Sequence, residues 1–268
     1  MNAPNPLSET KPIAAPGMMA LFLDVDGTLL EFSDTPDQVD VPKSLVQSLF
    51  AARTVLGGAI ALISGRALAD LDRLFQPLHL PSAGLHGFEV RHSDGEHRRH
   101  DADAAAISHE RDKLHQMFEA VPGVLIEDKG PCVAIHFRRA PALSGQVTEA
   151  VAAALARLGP EFEMLEGDMV RELRPAGINK GHAIRQLMER PPFAGRTPVF
   201  IGDDVTDEDG FAAVNELSGI SVIVGDRRPT QAQARLDNVA AVRRWLDHVI
   251  STADPTLSPS DDRETMQA

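Results

Sequence analysis

Apolar and polar positions divide this chain into two kinds of pattern. Residues 18–23, 59–63, 197–201 and 220–224 are short apolar runs without polar alternation, as expected of strands buried on both faces of a parallel sheet. Helical spacing lies between and after them. It shows at Leu45, Val46, Leu49 and Phe50 within 41–56, and at Leu68, Leu71, Leu74 and Phe75 within 67–75. It returns at Ile184, Leu187 and Met188 behind a capping Asn179, and at Val242, Trp245 and Leu246 within 240–250. Strand followed by helix, several times over, predicts a Rossmann-like α/β core with a doubly wound parallel sheet.

The second pattern fills 101–176. Ile107, Leu114, Met117, Phe118 and Val121 share one helical face, and Val147, Val151, Leu155 and Leu158 share another. The segments between and after them alternate. Glu127 and Lys129 have the same parity; Val133, Ile135 and Phe137 oppose His136 and Arg138; Val170 and Glu172 oppose Met169, Arg171 and Leu173. This predicts an inserted α/β unit in which two helices cover one face of an antiparallel sheet and the other face is polar. The expected organisation is a flexible tail over 1–17, a core over 18–100 and 177–250, the insert over 101–176, and a disordered tail over 251–268. Residues 31–40 read as a polar loop. Residues 82–100 read as a hairpin or extended excursion turning at Asp94-Gly95, with His86, His92, His97 and His100 on solvated faces. His86 lies closest to where the core strands end.

Composition narrows the function. The chain has 268 residues, 43% of them apolar, and a formal net charge of −13. That charge argues against a nucleic-acid or anionic-membrane surface, and no stretch is long and apolar enough to span a bilayer. Cys132 is the only cysteine, so no internal disulfide forms, and a cytoplasmic protein is expected.

Candidate chemistry collects where the apolar runs stop. Asp24 and Asp26 follow the first, with Gly27 allowing a sharp turn; Ser64 follows the second. The third ends in Gly202, then Asp203, Asp204, Asp207, Glu208 and Asp209. Lys180, at the start of a helix, opposes the positive dipole end and makes sense there with an anion beside it. Paired carboxylates at a strand end suit a hard cation such as Mg²⁺ and a bound phosphate, with one acid to attack and one to move a proton.

These stretches resemble the four motifs of the haloacid dehalogenase-like (HAD) phosphohydrolases: Asp24-Val25-Asp26-Gly27-Thr28, Ile63-Ser64-Gly65, Lys180, and Gly202-Asp203-Asp204 with Asp207. Within that superfamily the chain is similar to the trehalose-6-phosphate phosphatase family. Leu85-His86-Gly87, Glu127-Asp128-Lys129, His136-Phe137-Arg138, Glu172-Leu173-Arg174-Pro175, Asn179-Lys180-Gly181 and residues 202–208 carry that likeness. The resemblance implies a HAD fold with a C2-type cap, and Mg²⁺-dependent hydrolysis of trehalose 6-phosphate to trehalose and phosphate. It also implies action downstream of a trehalose-6-phosphate synthase; a monomer is expected. By it, Asp24 forms an aspartyl-phosphate, Asp26 is the acid and then the base, and Ser64 and Lys180 hold phosphoryl oxygens. The metal would fall to Asp24, the Asp26 carbonyl and Asp203, with Asp207 supporting the metal shell or Lys180. Glu127, Lys129 and Glu172 would recognise sugar hydroxyls. Val25, Gly65, Arg66, His86, Gly87, His136, Arg138 and Glu208 complete the substrate-binding set with Asp24 and Asp26, and cap closure would expel water. Phe137 stands where the family often has Tyr, for an expected loss of one hydroxyl contact. The competing readings are a related phosphatase of sucrose or mannosyl phosphates and a non-catalytic sugar-phosphate sensor.

Overall fold

A computed structural model describes residues 4–7, 14–31, 39–100, 104–167 and 169–257. The first half of the chain forms β1 (Asn5–Pro6), β2 (Met19–Leu23), α1 (Lys43–Val55), β3 (Ile60–Ile63), α2 (Leu68–Leu74), β4 (Ser82–Gly84), β5 (Glu89–Arg91), β6 (His97–Arg99), α3 (Ala104–Phe118), β7 (Leu125–Asp128) and β8 (Val133–His136). The second half forms α4 (Ser144–Leu158), β9 (Phe162–Gly167), β10 (Val170–Pro175), α5 (Lys180–Met188), β11 (Thr197–Gly202), α6 (Glu208–Glu216), β12 (Ile220–Val224), β13 (Ala234–Leu236) and α7 (Val239–Ala253). The elements gather into two units: the residues before Arg99 with those after Ile178, and residues 99–178.

The first unit is built on a nine-stranded sheet in the order β1-β13-β12-β11-β2-β3-β4-β5-β6. β2 lies inside it, parallel to β3 on one side and β11 on the other. Met19, Leu21 and Leu23 of β2 pack with Leu45 and Leu49 of α1, Leu71 of α2 and Trp245 of α7. Ala20 and Phe22 point the other way, to Ile184 and Leu187 of α5 and Phe211 of α6. All five β2 residues are therefore buried, which is why the run carries no polar alternation. The chain leaves β2 for β3 on one side and returns as β11 on the other, so the carboxyl end of β2 is the switch point where such sheets bind ligands.

The second unit is a four-stranded antiparallel sheet, β7-β8-β10-β9. Ile107, Leu114 and Phe118 of α3 and Val147 and Val151 of α4 bury one face of it against Val133, Ile135, Phe137 and Leu173.

Several expectations need correction. β4 is a parallel strand of the main sheet, with Leu62 opposite Ser82, before the chain turns back into antiparallel β5. His86 and His92 are buried rather than solvated. Phe50 and Met117 are exposed; Ser48 and Glu110 take the inward places, the former donating to Asp247 at 2.6 Å and the latter meeting Arg157 at 2.7 Å. Asn5 and Pro6, expected in a flexible tail, pair with β13, and α7 runs on to Ala253 before a 3₁₀ turn at Pro255–Leu257. Residues 32–38 of the expected loop and 258–268 of the expected tail lie outside the described residues. β9 and β13 are strands that the hydropathy pattern had not predicted.

Candidate active site

The end of β2 is closed by a tight turn. The Asp24 amide still donates to Ile201 O of β11 at 2.9 Å, and Gly27 then takes φ 82°. A Cβ at Gly27 would lie 2.2 Å from Asp203 Oδ2, so only glycine lets the turn approach the acidic loop after β11. Thr28 Oγ1 donates to Asp203 Oδ1 at 3.3 Å across this approach. Val25 is fully buried, so any ligand contact it makes is through its main chain.

Lys180 enters at the first turn of α5, beside its cap Asn179, whose side chain accepts from the His182 amide at 2.8 Å. Its ammonium is buried and bonds Asp24 Oδ1 at 2.7 Å and Asp207 Oδ1 at 2.6 Å. The anions that its position at a helix start demanded are thus present. The other Asp207 oxygen accepts from the Asp203 and Asp204 amides, each at 2.9 Å, so this carboxylate pins the acidic loop to the lysine.

Asp24, Asp203 and Asp207 each place an oxygen within 4.8 Å of the others. Burial pushes the Asp24 carboxyl up, with Lys180 pulling against it; burial and the neighbouring Asp24 and Asp207 push Asp203 up too. With all three carboxyls ionised, one ammonium would leave an excess of two negative charges, and that repulsion is part of what pushes Asp24 and Asp203 up. A divalent cation balances that excess, and a carboxylate donor set is what a hard cation takes. The residues fit such a metal.

β3 and β4 bring the second group. Ser64 is buried, and its hydroxyl accepts from the Arg66 amide at 3.1 Å; it does not cap α2, whose capping residue is Ala67. Arg66 grips both oxygens of Asp26, Nε to Oδ2 and Nη2 to Oδ1, each at 2.7 Å. Leu85 and His86 adopt positive φ, 50° and 56°, and the His86 amide donates to Ser64 O at 2.9 Å. The His86 ring lies against Gly65, where a Cβ would meet Nε2 at 2.6 Å, and a Cβ on Gly87 would meet Asn179 O at 2.7 Å. Asp24, Asp26, Ser64, Gly65, Arg66, His86, Gly87, Lys180, Asp203 and Asp207 thus lie on the loops of one sheet edge. Glu208 is drawn aside: Arg227 pairs with it, and the Gln231 amide donates to its Oε2 at 2.7 Å.

The polar sheet face of the second unit has its own order. Glu127 and Glu172 both register with Ala134 of β8, which puts the two acids on either side of a small residue. Lys129 Nζ lies 3.2 Å from Glu172 Oε2 and 3.8 Å from Glu127 Oε2; His136 Nε2 lies 2.9 Å from Glu127 Oε2. Burial works against both charges, yet His136 and Lys129 hold the Glu127 carboxyl down, and Glu172 and Glu127 hold the Lys129 ammonium up. Arg138 is exposed beyond the end of β8. Phe137 is in the apolar core with the Arg171 guanidinium 5.3 Å from its ring centroid, so the hydroxyl expected to be missed belongs to the opposite side from this face.

Sequence reasoning missed Arg227, which donates to the Asp203 carbonyl at 3.3 Å and to the Asp204 carbonyl at 3.2 Å. It also missed Arg243, whose Nε and Nη2 bond Leu29 O at 3.0 and 2.8 Å and brace the turn after Asp26. Thr28 stood in the first motif, but no local signal marks the two arginines.

Comparison with known proteins places this geometry in context. The profile of the trehalose-phosphatase family matches residues 22–240. The chain is 43% identical over 252 residues to the trehalose-6-phosphate phosphatase of Escherichia coli (strain K12), covering 92% of this chain and 91% of that one. It is 46% identical over 226 residues to the "Probable trehalose-phosphate phosphatase" of Sinorhizobium fredii, covering 84% of each. Its fold is similar to that of the C-terminal domain of Candida albicans trehalose-6-phosphate phosphatase, with TM-score 0.80 at 22% identity over 94% of this chain and 99% of that one. A HAD-superfamily phosphatase from Bacteroides thetaiotaomicron shares the fold at TM-score 0.58 and 18% identity, over 89% of this chain and 97% of its own.

Proposed function

The chain belongs to the trehalose-phosphatase family, and from that premise we propose how its residues hydrolyse trehalose 6-phosphate to trehalose and phosphate. The observation that carries the reading is the Lys180 ammonium held between Asp24 and Asp207, with Asp203 beside them at the end of β11.

Lys180 takes Oδ1 of Asp24 and leaves Oδ2 to attack phosphorus in line. The bond from phosphorus to the sugar oxygen breaks as the bond to Asp24 forms, giving an aspartyl-phosphate. Asp26 gives its proton to the departing oxygen, then takes one from the water that cleaves the intermediate. Arg66 occupies Asp26 with two hydrogen bonds. An arriving phosphate offers that guanidinium a second oxyanion, and Asp26, once released, takes up the proton it donates. Ser64 and Lys180 hold the remaining phosphoryl oxygens. Mg²⁺, held by Asp24, the Asp26 carbonyl and Asp203, would supply charge neutralisation at those oxygens.

Sugar recognition belongs in this reading to Glu127, Lys129 and Glu172. Their alternating charges offer acceptors and a donor to neighbouring hydroxyls, and the small Ala134 leaves room between the acids. The same reading sets the reaction in the cytoplasm, downstream of a synthase that makes the sugar phosphate, where the lone buried Cys132 stays a thiol.

The test is phosphate release from trehalose 6-phosphate beside sucrose, glucose and mannose phosphates at equal concentration, with and without EDTA. A strong preference for trehalose 6-phosphate that vanishes on chelation is expected. Preference for another sugar phosphate would overturn the recognition assignment, and activity that survives chelation would overturn the metal.

A further inference from the structure

The first unit holds a cavity of about 310 Å³ at the sheet edge opposite the carboxylates. Its walls are residues that enter strands rather than leave them: Gly58 ahead of β3, Leu80 and Pro81 ahead of β4, and Arg91, His92 and Ser93 where antiparallel β5 ends. Asp24, Ser64 and His86 follow the other ends of β2, β3 and β4, so the strands separate the two places.

No acidic side chain lines the cavity among the described residues, although the chain carries a net charge of −13. Arg53, His79, Arg91 and His92 line it instead. Arg91 is fixed in place: Nε and Nη2 donate to Leu80 O at 3.1 and 2.9 Å, and Nη1 to Asp72 Oδ2 at 2.7 Å. Asp72 also meets His79 Nδ1 at 3.1 Å, so that acid is already shared behind the wall. The Gly58 amide donates to Arg53 O at 2.8 Å, and the Arg53 side chain has no hydrogen bond or ion pair among the described residues. His92 is only 4% exposed, and its Nε2 is buried with no hydrogen-bond partner, a costly arrangement for a polar atom. Burial and the nearby Arg190 and Arg98 push its pKa down, against Glu96 and Asp94.

A preset guanidinium and a second one whose side chain has no partner share one concave wall. We propose that this cavity is a second anion site, taking a phosphoryl group with Arg91 as the fixed arm and Arg53 as the closing arm. The phosphoryl group could come from free phosphate or from a small phosphate monoester. The proposal is independent of the catalytic reading.

Two-dimensional NMR of the full chain with Mg²⁺, titrated with inorganic phosphate and separately with glucose 6-phosphate, tests it. The amides of Gly58, Ser93 and Gly95 should shift saturably at concentrations on the order of millimolar. Arg53→Ala, at an exposed position, should weaken that response about ten-fold while the Gly27 and Gly65 amides respond as before. Tighter glucose 6-phosphate would identify a monoester as ligand, and equal or tighter phosphate the free ion; either supports the site. Absence of saturation at the three amides with both ligands, or a response that Arg53→Ala leaves unchanged, would overturn it.

Discussion

Lys180 is the residue on which the catalytic unit leans hardest, because removing it leaves Asp24 and Asp207 buried without a counter-charge. Lys180→Ala should cost about 3–5 kcal/mol of stability, read from the denaturation midpoint, in addition to its effect on turnover. Glu172→Gln keeps the shape and removes the charge that meets Lys129. It should lower kcat/KM for trehalose 6-phosphate about ten-fold or more and leave a slow reaction with glucose 6-phosphate little changed; equal losses on both would remove the recognition role. Asp24, Asp26, Ser64 and Lys180 were legible in the sequence because each sits where a hydropathic pattern breaks. Arg243 was not, since it reaches Leu29 from 214 positions away and its own helix explains its charge as a solvated face.

At the scale of elements, close backbone approach fixes the placement of the groups. A Cβ on Gly181 would lie 2.3 Å from Asp209 O and 3.2 Å from Ala213 Cβ, so α5 and α6 meet at this glycine. Gly181→Ala should pry the helices apart at a cost of about 1–3 kcal/mol and drag Lys180 from Asp24, lowering kcat as well as the melting temperature. Unchanged kcat would mean that Lys180 tolerates the shift. The strands buried on both faces, β2, β3, β11 and β12, announced themselves by apolar runs. β4 did not, for its three residues are Ser82, Ala83 and Gly84. Their burial comes from the neighbours, with the Ser82 hydroxyl satisfied by Leu80 O at 3.0 Å. In β9 the acid Glu163 pairs with Arg174 of β10 at 2.7 Å, a cross-strand contact that hydropathy alone does not show. β13 is three residues long, too short for a period.

For the molecule as a whole, the two units carry separate dependences on conditions. In the second, hydrogen bonds from Arg157 and Lys113 lower the Glu110 carboxyl from 4.5 to about 2. Since the folded pKa is depressed, the stabilisation is complete above about pH 4.5 and is lost as pH falls from there through about 2. Glu110→Gln should flatten that part of the melting-temperature profile, and an unaltered profile would show that other carboxylates set it. In the first unit a divalent cation held by the carboxylates would act by mass action. Mg²⁺ at about 100 times its Kd should add about 2.7 kcal/mol, and Asp203→Asn should abolish most of the gain. The account as a whole rests on Asp24 as nucleophile. Its most direct test is kcat/KM for trehalose 6-phosphate with Mg²⁺ in Asp24→Asn beside the unaltered chain, with circular dichroism as the check on folding. A folded variant slowed by about 10³-fold or more is the predicted result; a folded variant that keeps activity within about ten-fold would contradict it.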